Sequence, residues 1–179
     1  MNTRKIVITG GPGTGKSSII NELVKRNYNC FEEISRQVTL EARQKGIEQL
    51  FLTEPLLFSE LLLKARTQQY HDAMSSESDI VFLDRGLPDV VAYMDYANNT
   101  YPDHFNQVCE DHKYDQVFVL APWQEIYTSD SERYENFDQA VQIHDALLDT
   151  YARFGYQLTD VPFTSIENRT DFILDTIDL

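Results

Sequence analysis

The sequence predicts an α/β fold in three layers, with helices on both faces of a five-stranded, mostly parallel sheet. Three observations carry this. Five short apolar or alternating runs, at residues 5–9, 28–33, 79–84, 116–120 and 156–161, are separated by segments of helical period, as in a parallel sheet. The stretch Ile80-Val81-Phe82-Leu83 is apolar throughout, as expected of a strand buried on both sides. The first run leads directly into Gly-Gly-Pro-Gly-Thr-Gly-Lys-Ser at residues 10–17, a complete G-x-x-x-x-G-K-[ST] loop placed between a strand and a helix.

Taken in order, Ile6-Val7-Ile8 forms the first strand and the glycine-rich turn follows it. Such a turn leaves backbone N–H groups free to converge on anionic oxygens, and the helix behind it adds the positive end of its dipole. Gly11, Pro12, Gly13, Thr14, Gly15, Lys16, Ser17 and Ser18 are therefore the candidate cradle for the triphosphate of ATP or GTP. Lys16 supplies a mobile positive charge for the β- and γ-phosphates, and the Ser17 hydroxyl is placed to ligate Mg²⁺. The second strand ends Phe31-Glu32-Glu33, and Ile34-Ser35-Arg36 opens the next helix. Neighbouring strand residues point to opposite faces, so one of Glu32 and Glu33 is expected in the cleft. There a carboxylate can orient a substrate hydroxyl or accept its proton. Arg36 is close enough to pair with Glu33 or to bind a substrate anion.

Pro55 fits the first position of a helix reaching about residue 75, with Leu57, Leu61, Lys64, Ala65 and Gln68 on one stripe. Residues 80–84 then set four apolar residues before a carboxylate at a strand's carboxyl end, the form of a Walker B element. Asp84 is expected near Ser17 as a second metal ligand. Arg85 and Gly86 follow it, whereas a second acid is common in ATPases that polarise water. The segment 122–137 is polar and aromatic with weak periodicity, which fits either a mobile loop over an active site or a plain surface connection. Arg133 within it is a candidate lid arginine stabilising charge on the transferred phosphate. Asp138 can cap a helix with Val141, His144, Leu148 and Tyr151 on its stripe, stopped by Gly155, with His144 a packed residue. The spacing of Thr164 to Glu167 is that of a capping box opening the last helix.

At 179 residues the chain fits one domain, 1–179. Its net charge of −14, from 15 Lys plus Arg against 29 Asp plus Glu, repels polyanions. Nucleic acid and stable membrane association are therefore not expected, although a local basic pocket can still hold one nucleotide. Cys30 and Cys109 have neither metal-ligand spacing nor a disulfide framework, and Cys30 reads as a small core residue. The first strand begins at once, leaving no room for a signal peptide, and no apolar run approaches the roughly 18 residues of a membrane span. A cytoplasmic location is the expectation.

The set Gly-Gly-Pro-Gly-Thr-Gly-Lys-Ser, Phe-Glu-Glu-Ile-Ser-Arg, Phe-Leu-Asp-Arg-Gly and Ser-Glu-Arg-Tyr-Glu, closing on Pro-Phe-Thr-Ser-Ile-Glu-Asn-Arg, resembles the NadR-like family of P-loop proteins. That family is similar to the ribosylnicotinamide kinase domain and to deoxynucleoside and thymidylate kinases, and is often classed as an AAA-type ATPase. The resemblance implies a kinase-like P-loop NTPase fold. It also implies that Arg85, as in the Asp-Arg pairs of nucleoside kinases, contacts phosphate. Two functions follow. One is a Mg²⁺-dependent kinase moving the γ-phosphoryl of ATP or GTP to a small hydroxyl acceptor, with Lys16, Glu32 or Glu33, Arg36, Arg85 and Arg133 at work. The other is a nucleotide-dependent binding module with slow hydrolysis.

Overall fold

In the computed structural model, which describes residues 3–127 and 135–177, the first apolar run becomes the central strand. That strand, β1 (Arg4–Gly10), lies between β3 (Ile80–Asp84) and β4 (Gln116–Leu120). The outer positions are taken by β2 (Asn29–Phe31) beside β3 and β5 (Leu158–Asp160) beside β4. Every described pairing is parallel, so the expected mostly parallel sheet is parallel throughout its described strands. The register sets Ile8 opposite Asp84 and Gly10 opposite Leu120, bringing the carboxyl ends of β1, β3 and β4 to one edge. Ligands of open α/β sheets bind at that edge, where the chain turns to opposite sides of the first strand.

Alternation along the strands divides the core in two. Val7, Leu83 and Val117 face one side, packed under α4 (Pro55–Met74), α5 (Leu87–Tyr96), α6 (His104–Asp111) and α7 (Phe137–Arg153). Ile6, Ile8, Phe82 and Phe118 face the other, under α1 (Lys16–Lys25) and α8 (Ile166–Ile177). The remaining helices, α2 (Ser35–Gln44) and the one-turn α3 (Leu50–Thr53), lie between β2 and α4 in the chain. No described helix is long and apolar enough to cross a membrane. Cys109 is buried and Cys30 half-buried, both free, and burial pushes each thiol up to about 12.

Two helical stripes differ from expectation. Helix α4 does start at Pro55, but Leu57, Leu61, Lys64 and Gln68 are exposed and Ala65 is only partly buried. Its inner face is Ser59, Leu62, Leu63, Arg66, Tyr70 and Ala73. Three consecutive leucines leave the phase undetermined, and the inward stripe runs through an arginine that apolar counting skips. In α7 the buried residues are Ala140, Ile143, Leu147, Thr150 and Tyr151, rotating the stripe away from Val141, His144 and Leu148. The cap is Asn136, whose Oδ1 accepts from the Gln139 N–H at 2.9 Å, rather than Asp138. His144 is half-buried, and that burial lowers its pKa. Gly155 does end the helix, in left-handed backbone at φ 82. For α8 the cap is Ser165, whose Oγ accepts from the Asn168 N–H at 3.2 Å.

The two faces of α4 separate in a melt. Leu62→Ala, at a 7% exposed site, is expected to cost about 2–4 kcal/mol in urea unfolding. Leu61→Ala, at 39% exposure, should cost less than about 1 kcal/mol.

Candidate functional site

The phosphate loop is shaped by close approach and by backbone that favours glycine. A Cβ on Gly10 would lie 2.8 Å from the Leu120 carbonyl oxygen and 2.9 Å from Thr14 Oγ1, so a side chain there would push β1 from β4. Gly13 and Gly15 take φ of 71° and 87°, where a Cβ is strained. The buried Thr14 hydroxyl donates to the Gly11 carbonyl at 3.0 Å and ties the loop across itself. Helix α1 begins at Lys16, and the Ile19 N–H bonds the Gly15 carbonyl. The N–H groups of Lys16, Ser17 and Ser18 precede that first helical bond and remain available to an anion.

This loop forms one wall of a cleft of about 430 Å³. Residues 11–18 line it together with Glu32, Glu33, Arg36, Asp84 and Arg85, which brings every described candidate residue into one space. Arg133, and with it residues 128–134 of the expected lid, lies outside the described residues. Both Glu32 and Glu33 reach the cleft, correcting the expectation of one: β2 ends at Phe31, so strand alternation does not apply to them. Arg36 is exposed and does not pair with Glu33, whose partners come from elsewhere in the chain.

Charges in the cleft are paired and largely buried. Lys16 is 9% exposed rather than mobile, its Nζ 3.4 Å from Asp84 Oδ1. Burial and the nearby Arg85 pull its pKa below the usual lysine value, against the opposing pull of Asp84, Glu33 and Asp89. Glu33 receives Arg66 Nη2 at 2.9 Å on Oε1 and Arg85 Nε on Oε2. Burial alone would raise its pKa, but Arg66, Arg85, Lys16 and the Ser35 N–H outweigh burial and hold the carboxyl well below the usual range. Arg66 also donates from Nη1 to the Gly86 carbonyl at 3.2 Å. Arg85 has left-handed backbone at φ 75°, a conformation side chains rarely adopt, held by its N–H bond to the Ile8 carbonyl at 3.0 Å. Its guanidinium lies 5.3 Å from the Tyr93 ring centre.

Sequence reasoning missed the residues beneath this layer. Asp89 has no exposed surface. It accepts from Thr9 Oγ1 and Tyr151 Oη at 2.5 Å each and from the Gly86 N–H at 2.9 Å, with Arg85 Nη1 at 3.4 Å. Burial, then the Asp89 charge, raises the Tyr151 pKa and keeps the phenol a donor. An acid at the third position of a helix opened by glycine is a capping signal, so Asp89 was findable. Arg66 was hidden by the leucines around it.

The donor set suits a magnesium nucleotide. Asp84 Oδ1 is buried and, among the described residues, makes no hydrogen bond; it faces the Lys16 ammonium at 3.4 Å, a place that a metal cation can take, and Ser17 lines the same cleft. Magnesium takes one or two protein oxygens plus phosphates and water. Among the described residues no cluster of three or more His, Cys, Asp or Glu could hold a metal ion.

A family profile described as AAA domain matches residues 5–169. The chain belongs to this AAA domain family. No curated protein matches it. Among solved structures, this AAA domain is similar to a deoxyadenosine kinase from M. mycoides with products dCMP and a flexible dCDP bound, with TM-score 0.70 and 18% identity over 97% of this chain and 98% of that one. It is also similar to NadR in complex with NR, with TM-score 0.75 and 16% identity over 99% of this chain and 51% of the NadR chain, about half its length. Thymidylate kinase from Candida albicans gives TM-score 0.67 and 18% identity over 99% of this chain and 92% of that one. The AAA domain thus has the fold of the P-loop kinases.

The pairing of Glu33 yields a pH test. Because its pKa is held down in the folded protein, the stability it contributes is complete above the unfolded value of about 4.5 and is lost as the pH falls below that toward the folded value. Glu33→Gln leaves two guanidinium groups without their carboxylate and should cost about 3–5 kcal/mol at pH 7. Urea melts of both proteins should show this gap narrowing below about pH 4.5.

Proposed function

We propose that this AAA domain is a Mg²⁺-dependent kinase that transfers the γ-phosphoryl group of ATP or GTP to a hydroxyl of a small nucleoside-like acceptor. The observation that carries the reading is Glu33: an ionised carboxylate, held by two arginines, in the same cleft as the phosphate loop. Asp84 is followed by Arg85 rather than by a second acid that would polarise water, which favours transfer over hydrolysis. Structural similarity to a deoxyadenosine kinase, a thymidylate kinase and NadR with NR bound supports a nucleoside-like acceptor through the fold alone.

In this reaction the N–H groups at the start of α1 and Lys16 hold the β- and γ-phosphates, and Ser17 and Asp84 hold the magnesium. The metal, when bound, neutralises charge on the phosphate oxygens. Arg85 offers its guanidinium to the transferred group, and Arg36 at the exposed rim binds the acceptor. The acceptor oxygen forms a bond to the γ-phosphorus as the bond to the β-phosphate oxygen breaks, releasing ADP or GDP. With its pKa held low, Glu33 orients the hydroxyl by accepting its hydrogen bond and takes the proton late, as charge on the acceptor oxygen falls. A loose phosphoryl transition state demands positioning more than a strong base. Glu32, exposed beside it, is the second carboxylate available to the acceptor. Arg133 is assigned to charge stabilisation from the segment between β4 and α7.

The deciding experiment is a screen of nucleosides and other small alcohols for acceptor-dependent ADP or GDP release. One acceptor class should accelerate release and Glu33→Gln should abolish that acceleration. Slow release that no acceptor changes would favour a nucleotide-dependent binding module. Lys16→Ala should weaken Mg-triphosphate binding about ten- to a hundredfold in calorimetric titration, the worth of a charge-assisted hydrogen bond. Asp84→Asn should remove most of the magnesium dependence of binding, since an amide is a poor ligand for this cation. Titrations with and without Mg²⁺ read that difference directly.

A further inference from the structure

Behind the phosphate loop lies a cation that has no counter-ion among the described residues. Arg169, in the first turn of α8, is 2% exposed. Its Nη1 donates to the Thr14 carbonyl at 3.0 Å, bridging 155 positions of sequence. The guanidinium carbon lies 5.7 Å from the centre of the Trp123 ring, which stacks on Phe163 with centroids 5.1 Å apart. Among the described residues, its buried Nε and Nη2 have no hydrogen-bond partner. Among the described residues no carboxylate pairs with it, and burial alone pulls its pKa below the usual arginine value. Arg66 and Arg85, the other arginines drawn inward here, both hold Glu33.

A buried charge with no partner is costly, and a helix built only for stability would place an apolar side chain at such a position. The location supplies the reason for the cation. A Cβ on Gly15 would come within 2.9 Å of Arg169 Nη1, so the guanidinium rests against the left-handed turn that opens α1. That turn aims the N–H groups of residues 16–18 into the cleft. Charges shielded from water interact with less screening than exposed ones.

We propose that Arg169 is a positioning residue for the phosphate loop: it pins the Thr14 carbonyl, and its uncompensated positive charge is balanced by the bound triphosphate rather than by a side chain. The inference rests on the nucleotide reading of the cleft. It gives Arg169 two separable actions, one through a hydrogen bond and one through charge. A merely structural brace has only the first.

The test is calorimetric titration of Mg-ATP and Mg-GTP, and of ADP and GDP, into the wild type, Arg169→Lys, Arg169→Gln and Arg169→Met. Lysine keeps the charge, glutamine keeps a donor for Thr14 without charge, and methionine keeps much of the volume alone. The neutral variants are expected to bind triphosphate at least about tenfold more weakly than wild type, the scale of one lost charged contact. Arg169→Lys should recover part of the loss, and the loss should be larger for triphosphate than for diphosphate. Wild-type affinity in either folded neutral variant, or a lysine variant no better than glutamine, overturns the inference. A wild-type protein that binds no triphosphate overturns the nucleotide reading and this inference together. Tight binding by wild type with unchanged binding by Arg169→Gln overturns this inference alone.

Discussion

The cleft depends on one carboxylate that no solvent reaches. Asp89 ties Thr9 at the end of β1, the first N–H at the start of α5, Tyr151 on α7 and the guanidinium of Arg85 to a single pair of oxygens. A carboxylate removed from water is tolerated only when its acceptor sites are filled, so these four groups hold positions relative to one another that no loop contact could enforce. The arrangement also explains Gly86. A Cβ there would lie 2.8 Å from the Tyr151 hydroxyl and 3.0 Å from Tyr114 Cε2, displacing the hydroxyl that bonds Asp89 and the ring whose hydroxyl accepts from the Leu87 N–H. Arg85, one residue earlier, is thereby left in its left-handed conformation with its side chain turned into the cleft.

Much of this fold was legible because its signals are local. Each of the five strands was anticipated to within three residues at either end, since short apolar runs bounded by polar residues suit a parallel sheet. The phosphate loop was legible because its glycines answer to backbone geometry that does not depend on distant residues. Helix phase was not, because α4 and α7 each carry apolar residues around much of their circumference. The inward face of α4 is chosen by Arg66 reaching Glu33, 33 residues away, which no periodicity reveals. The same limit applies to the cleft: Glu32, Glu33, Arg36, Asp84 and Arg85 could be nominated one by one, but their pairing could not. Spacing suggested Glu33 with Arg36; the tertiary structure supplies Arg66 and Arg85 instead, because Arg36 at the start of α2 is exposed to solvent.

An acidic chain can hold an anion when its few cations converge. The net charge of −14 is an average over the molecule, whereas Lys16, Arg66, Arg85 and Arg169 all lie at or just behind one sheet edge. The general field disfavours extended polyanions, whereas a compact ligand that reaches into the cleft meets these cations at short range, provided it displaces the carboxylates paired with them.

The balance within the cleft sets what must happen when the substrates enter. Lys16, Arg66 and Arg85 are matched by Asp84, Glu33 and Asp89, three charges against three, so these groups together offer no net attraction to a triphosphate. In the proposed reaction that neutrality is resolved by exchange of partners. Lys16 leaves Asp84 for the β- and γ-phosphates, and the Asp84 carboxylate so released would be one of the groups to hold the magnesium. Arg85 leaves Glu33 for the transferred group, and Glu33, still held by Arg66, becomes available to the acceptor hydroxyl. Asp89 changes no partner except Arg85, because its other bonds are to the frame of the fold. In that exchange Glu33 keeps Arg66, and Asp89 keeps its bonds from Thr9, Tyr151 and the Gly86 N–H. Neither substrate alone completes this exchange: nucleotide without acceptor frees Glu33 with nothing to receive it, and acceptor without nucleotide leaves Arg85 where it is. On the proposed reaction, the paired cleft favours binding of both substrates together over binding of either, an arrangement that disfavours hydrolysis of the triphosphate by water.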